Sequence, residues 1–230
     1  LLVTATTTST SPAEHIMFMI LNISKGIDFF DNAVRSGNFK SVMQMEHKNF
    51  ELSEKKILIV GFGRIGKKLI KRCLGFEMEV LVYDPFVEKK KIESLGGVKV
   101  NDLQEGLKLA DVLSLSVPLT KKTYNMINMQ NMKMMKNTSI IINVSRGGVV
   151  NEKDLNEAIN RKIIFGAGLD VFEKEPPETN NPLLKNKRVM LSPHAATFTQ
   201  ECLSKMSIET AQNIIDFFEG KPNENSIVKI

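Results

Sequence analysis

The 230-residue chain holds only two cysteines, Cys73 and Cys202, far apart and without metal-ligand spacing. That excludes a disulfide framework and a zinc or other metal site built on them, and makes a reducing cytoplasm the expected compartment. Long hydrophobic runs are missing as well. The most apolar stretch, Ile16 to Ile23, is interrupted by Asn22 and is too short to cross a bilayer, and no cleavable-signal pattern precedes it, so no membrane partner is expected. A block of charge of one sign is also absent. The 31 Lys and Arg outnumber the 26 Asp and Glu, giving a net charge of +5, but the two signs interleave along the chain. Lys89-Lys90-Lys91 and Lys121-Lys122 read as solvated faces, so no nucleic-acid partner is expected. There is no internal repeat, and the Thr-rich start is the one biased tract.

What is present reads as α/β. The length suits one large domain, or one domain and part of a second. Leu1 to Val3 read as the tail of a strand and Thr4 to Ser11 as a polar connection. Ser11-Pro12-Ala13-Glu14 has the form of a capping box opening a long helix to Arg35. Ser36-Gly37-Asn38 stops that helix, and Phe39 to Ser53 reads as a linker-like arm. From Lys56 onward short β-branched runs alternate with amphipathic segments, the pattern of a parallel sheet wrapped by helices. Strands are expected at 57–60, 80–83, 98–100, 112–116, 140–144, 165–169 and 189–191. Helices are expected at 64–74, 87–95, 102–109, 129–135, 152–160 and 199–218. The strand runs are apolar on both faces, as burial between two helix layers requires.

Gly61, Gly63 and Gly66 open a helix directly after a buried strand, the context that gives a dinucleotide fingerprint its meaning. The first glycine permits the tight turn, the second lets backbone approach a pyrophosphate, and the third lets helix and strand pack closely. Amides around Arg64 and Ile65 then face the anion. Asp84 ends the next strand candidate, where a carboxylate accepts both ribose hydroxyls and repels a 2′-phosphate, so NAD is expected rather than NADP.

Three later segments add reactive groups: Asn143-Val144-Ser145-Arg146-Gly147-Gly148, Asp170-Val171-Phe172-Glu173-Lys174-Glu175-Pro176-Pro177 and Ser192-Pro193-His194-Ala195-Ala196. They supply a fixed cation, a carboxylate and an imidazole, the parts needed to pass a hydride to or from a carbon that bears oxygen beside a carboxylate. With Ala13-Glu14-His15, Val117-Pro118-Leu119-Thr120 and Gly168-Leu169-Asp170-Val171-Phe172, they make the chain resemble the D-isomer-specific 2-hydroxyacid dehydrogenases over nearly its whole length. The resemblance implies a Rossmann-type doubly wound parallel sheet with remnants of a second, flavodoxin-like substrate domain. It makes Arg146 the substrate-binding arginine, Glu175 the acid partner of the histidine, and His194 the proton donor and acceptor. It also implies that Asp170 holds the nicotinamide amide, that Val144 and Ser145 lie beside that ring, that Val117 and Pro118 flank the adenosine, and that Thr123 and Ala196 complete the cofactor-binding set. Ser116, where many relatives carry histidine, and Thr197 depart from the common pattern. His15 reads as structural, and His47 belongs to no motif.

The same resemblance divides the chain into 1–12, the end of a substrate domain; 13–193, an NAD-binding domain with crossover helix and dimerisation arm; and 194–230, a return helix and C-terminal remnant of the substrate domain. Because the sequence begins mid-pattern at Leu1, the first half of that domain is expected to precede it, and the chain alone is expected to be weakly active or inactive. A homodimer through the arm around 30–53 is implied. The expected small-molecule partner is a 2-hydroxy or 2-oxo acid, with a short-type phosphoglycerate dehydrogenase first and a glyoxylate/hydroxypyruvate reductase close behind. The alternative of another class is an NAD(H)-sensing scaffold like the transcriptional corepressors of this architecture.

Overall fold

The computed structural model describes residues 6–44 and 49–227, without the side chains of Ser41 and Asn225. The expected strand at Leu1 to Val3 and the motif-free His47 lie outside the described residues.

Seven parallel strands form one sheet: β1 (Lys56–Val60), β2 (Glu79–Tyr83), β3 (Val98–Lys99), β4 (Val112–Leu115), β5 (Ile140–Asn143), β6 (Gly166–Leu169) and β7 (Val189–Leu191). Their order in space is β3-β2-β1-β4-β5-β6-β7, every pairing parallel. The winding reverses between β1 and β4, the switch point beside which open α/β sheets bind ligands at the carboxyl ends of their strands.

Alternate residues of each strand feed two cores, as a period of two demands. Leu58, Val60, Leu113, Leu115 and Ile141 pack into one core with Leu107 of α6 (Leu103–Leu109) and Leu155 of α8 (Glu152–Asn160). Ile57, Ile59, Val112, Ile140 and Ile142 pack into the other with Ile16 and Ile20 of α1 (Thr10–Lys25) and Leu69 of α4 (Arg64–Gly75). Side-chain caps set several helix starts. Asp102 accepts from the Gln104 amide, and Asn151 accepts from the Asp154 amide.

All seven expected strands are present, with ends shifted by a residue or less. The helices differ more. The long first helix is two: Gly26, at φ +63°, ends α1, and α2 (Ile27–Arg35) starts anew. Ser11 is not the cap, because α1 begins at Thr10, and Ser11 lies inside it with its hydroxyl donated to the Ala196 carbonyl at 2.5 Å. The arm opens with a short helix, α3 (Phe39–Met43). Helix α5 (Lys89–Glu93) is shorter than its charged run suggests, and α7 (Met129–Met132) stops before Met135.

The last helix, α9 (Gln200–Phe218), is capped by Thr199 and clasps the start of the described chain. The Glu209 carboxylate accepts from the Thr6 amide and hydroxyl at 2.6 and 2.5 Å and from those of Thr7 at 3.0 and 2.7 Å. Burial works to raise the Glu209 carboxyl, but these four donors outweigh it and bring it down to about 2.

Candidate active site

At the end of β1 the chain turns through Gly61, whose φ of +94° is a left-handed value. A Cβ there would meet the Ser116 carbonyl at 2.5 Å and Val117 Cγ1 at 2.9 Å, so only glycine fits. A Cβ on Gly66 would lie 2.5 Å from the Gly61 carbonyl oxygen, so helix and turn pack closely there. Gly63 is different: it is the N-cap of α4, no side chain caps the helix, and a Cβ at Gly63 would meet nothing within 4 Å. The first-turn amides of α4, at Arg64 and Ile65, therefore border open space without an intrahelical acceptor. That is the form of an anion cradle, and the residues present fit a dinucleotide pyrophosphate.

Asp84, at the end of β2, accepts the Phe62 amide at 2.8 Å and the Phe86 amide at 2.9 Å. Its carboxylate thus ties the glycine turn to the neighbouring strand end and keeps lone pairs for further donors. Val117 and Pro118 follow β4 on the same rim. Thr123, expected at the cofactor, is engaged within its own turn, donating to the Pro118 carbonyl at 2.6 Å and accepting from the Thr120 amide at 2.7 Å.

Arg146 follows β5 on a loop built by Asn143. The Asn143 side chain accepts from the Ser145 amide and hydroxyl at 3.0 and 2.7 Å and donates to the Arg146 carbonyl at 3.0 Å. Val144 and Ser145 are buried beneath it. Arg146 itself is exposed, with Nη1 donating to the Ser145 carbonyl at 2.6 Å. Gly147 brings this loop against the next one: a Cβ there would fall 1.7 Å from the Phe172 carbonyl oxygen. Asn143 carried no expected role, although an Asn at a strand end before Ser and Gly is a turn-forming signal.

Glu175 and His194 come together from the loops after β6 and β7. His194 Nδ1 lies 2.8 Å from Glu175 Oε2, and Glu175 Oε1 accepts the Phe172 amide at 3.0 Å. Burial works to raise the Glu175 carboxyl, but the His194 hydrogen bond, the Phe172 amide and the charges of His194 and Arg146 hold it below the usual carboxylate range. Glu175 and His194 thus meet beyond the carboxyl ends of β6 and β7, and Arg146 is near enough to lower Glu175 through its charge. The Glu175 carboxylate engages Nδ1 of His194 and leaves Nε2 outside the pair. The His194 side chain is 49% exposed and Glu175 38%.

His194 has φ +55°, a left-handed value that residues with a Cβ rarely adopt. Its own amide donates to the Asp170 carbonyl at 2.7 Å, and the Ala195 and Ala196 amides donate to the Asp170 carboxylate at 2.8 and 3.0 Å. Asp170, expected to reach the nicotinamide, has a side chain with no exposed surface and is bonded inside the protein. Within the protein, Asp170 organises the loop that carries His194. Ala196, expected in the cofactor set, is buried with both of its backbone polar groups engaged.

A switch-point cradle, an acid at the end of the next strand and an Arg, Glu and His set on adjoining strand ends define a dinucleotide-binding α/β unit of the dehydrogenase kind. Residues 17–196 match the model of the D-isomer specific 2-hydroxyacid dehydrogenase, NAD binding domain, and the chain belongs to that family. It is 40% identical to a glyoxylate reductase of Thermococcus litoralis, over 92% of this chain and 64% of that protein. It is 37% identical to a D-3-phosphoglycerate dehydrogenase of Archaeoglobus fulgidus, over 94% of this chain and 40% of that one. Among solved structures it resembles D-lactate dehydrogenase from Aquifex aeolicus complexed with NAD and lactic acid, with a TM-score of 0.83 and 33% identity over 92% of this chain and 67% of that one. The chain therefore spans about two-fifths to two-thirds of the length of these relatives. Among the described residues no helix is long and apolar enough to cross a membrane, and no cluster of His, Cys, Asp or Glu could hold a metal ion.

Proposed function

We propose that this chain is the cofactor-binding and catalytic part of an NAD-dependent oxidoreductase acting between the C2 of a D-2-hydroxy acid and the matching 2-oxo acid. The observation that carries the reading is the 2.8 Å pair of His194 Nδ1 and Glu175 Oε2, with Arg146 close enough to act on Glu175 through its charge. The amides of Arg64 and Ile65 around Gly61, Gly63 and Gly66 hold the pyrophosphate, Asp84 the ribose, and Val117, Pro118, Val144 and Ser145 line the remaining wall. When bound, the nicotinamide supplies or takes the hydride.

The protein's own groups do the rest. Arg146 holds the substrate carboxylate and polarises the carbonyl, since a guanidinium stays charged at any working pH and binds such oxygens in pairs. In reduction, His194 gives a proton from Nε2 to the oxygen as it gains negative charge, and Glu175 holds the imidazolium in place through Nδ1. In oxidation the proton returns to Nε2. Such acid–base help is worth about 10²–10⁴ in rate.

The names of the relatives favour 3-phosphoglycerate or glyoxylate as substrates, with hydroxypyruvate implied by the family resemblance. A homodimer is supported by the exposed apolar residues Val34, Phe39 and Met43 on the arm and Ile27 and Phe29 just before it. A cytoplasmic location is supported by Cys73 and Cys202, both buried and unpaired. Segment 1–12 is read as the end of a substrate domain and 194–230 as the return helix and C-terminal remnant of that domain, with α1 and α9 as the crossings.

The test is His194→Ala in the full-length protein, assayed with a panel of 2-oxo acids and both NADH and NADPH. Turnover is expected to fall by about 10²-fold or more while NADH still binds. Unchanged turnover would overturn the assignment.

A further inference from the structure

The Asp170 carboxylate is fully buried, where an unpaired charge is costly, and it is met by donors on several sides. Besides the Ala195 and Ala196 amides it receives the Ser192 hydroxyl, and the His15 ring approaches with Nε2 at 3.6 Å from Oδ1. His15 Nε2 also lies 2.9 Å from Ser192 Oγ. A serine has one hydroxyl hydrogen and an ionised carboxylate only accepts. Ser192 therefore spends its hydrogen on Asp170 and accepts from His15, which fixes the His15 proton on Nε2.

One turn earlier on α1, Ser11 donates to the Ala196 carbonyl at 2.5 Å. Residues four apart share one face of a helix. Ser11 and His15 thus grip the two ends of the segment 192–196, and His194 sits between the grips in its left-handed conformation. The helix beneath is firmly seated, with Ala13, Ile16, Met19 and Ile20 wholly buried.

We propose that the Ser11/His15 face of α1, acting through Ser192 and Asp170, is the device that positions His194 against Glu175. Ser11, His15 and Ser192 are positioning residues, and the inference rests on the role proposed above for His194. Cutting a tether lets a residue with a Cβ leave the left-handed region for a more populated one, and the imidazole leaves Glu175 with it.

The experiment compares His15→Ala, His15→Gln and Ser11→Ala by hydrogen exchange and NADH binding on this chain, and by kinetics in the full-length protein. In both alanine variants, exchange at the amides of His194, Ala195 and Ala196 is expected to rise about fivefold, as loss of one hydrogen bond predicts. Exchange in β1 and α4 stays unchanged, and NADH affinity stays within about twofold because the glycine turn is untouched. His15→Gln, whose Nε2 still donates to Ser192, restores slow exchange. In turnover, kcat falls about tenfold or more in His15→Ala while KM for NADH holds. Unchanged exchange at 194–196 in both alanine variants overturns the proposal. So does a rise spread evenly over the sheet, or failure of the glutamine to restore protection. Full turnover in His194→Ala would instead remove the functional reading, while the exchange result still decides for or against the tether.

Discussion

Glu175 shows how much of this site depends on one carboxyl group. Its ordinary value is 4.5, and the His194 bond, the Phe172 amide and the nearby cations lower it in the folded chain against the opposing effect of burial. A carboxyl lowered by folding adds stability that is complete above its unfolded value and is lost as the pH falls through the folded one. Melting temperatures of the native chain and Glu175→Gln should therefore differ near neutral pH and converge below about pH 4.5, with the native chain losing its advantage. A constant gap at all pH values would mean that the pair adds nothing to folding. At this scale the sequence spoke clearly for Arg146, Glu175 and His194, because each belongs to a motif. It was silent on the work of Asn143 and Ser192 and gave Ser11 a local cap, because their work consists of hydrogen bonds to groups fixed only by the fold, such as the Ala196 carbonyl 185 positions from Ser11.

Among elements, the β1 turn and the end of β2 act as one piece through Asp84. Replacing it with alanine removes the acceptor of the Phe62 and Phe86 amides as well as the charge proposed to face the ribose. Asp84→Ala is expected to weaken NADH binding about tenfold and to narrow the preference over NADPH, both read by fluorescence titration. Equal affinity in the variant would remove Asp84 from the cofactor site. The strands were legible because buried parallel strands are continuous apolar runs, and nothing in their surroundings competes with that pattern. The first helix was misread because an isolated glycine in a helical pattern does not by itself mark a stop. Only the left-handed turn at Gly26 separates α1 from α2. The Ser-Pro-Ala-Glu signature was satisfied elsewhere: Ser11 bonds to Ala196, and Glu14 pairs with Arg72 at 2.7 Å. A long-range partner won over a local cap.

For the molecule as a whole, the apolar side chains of α2 and α3 need a cover that the described residues do not provide. Gel filtration of the chain should give the mass of two copies, and Phe29→Asp combined with Val34→Asp should give one. A single-copy mass for the unmodified chain would remove the arm as a self-association surface. The clasp between Thr6, Thr7 and Glu209 joins positions up to 203 apart along the sequence. A change at Glu209 is therefore felt at once on α9 and at the opposite end of the described chain, through bonds that no local stretch of sequence announces.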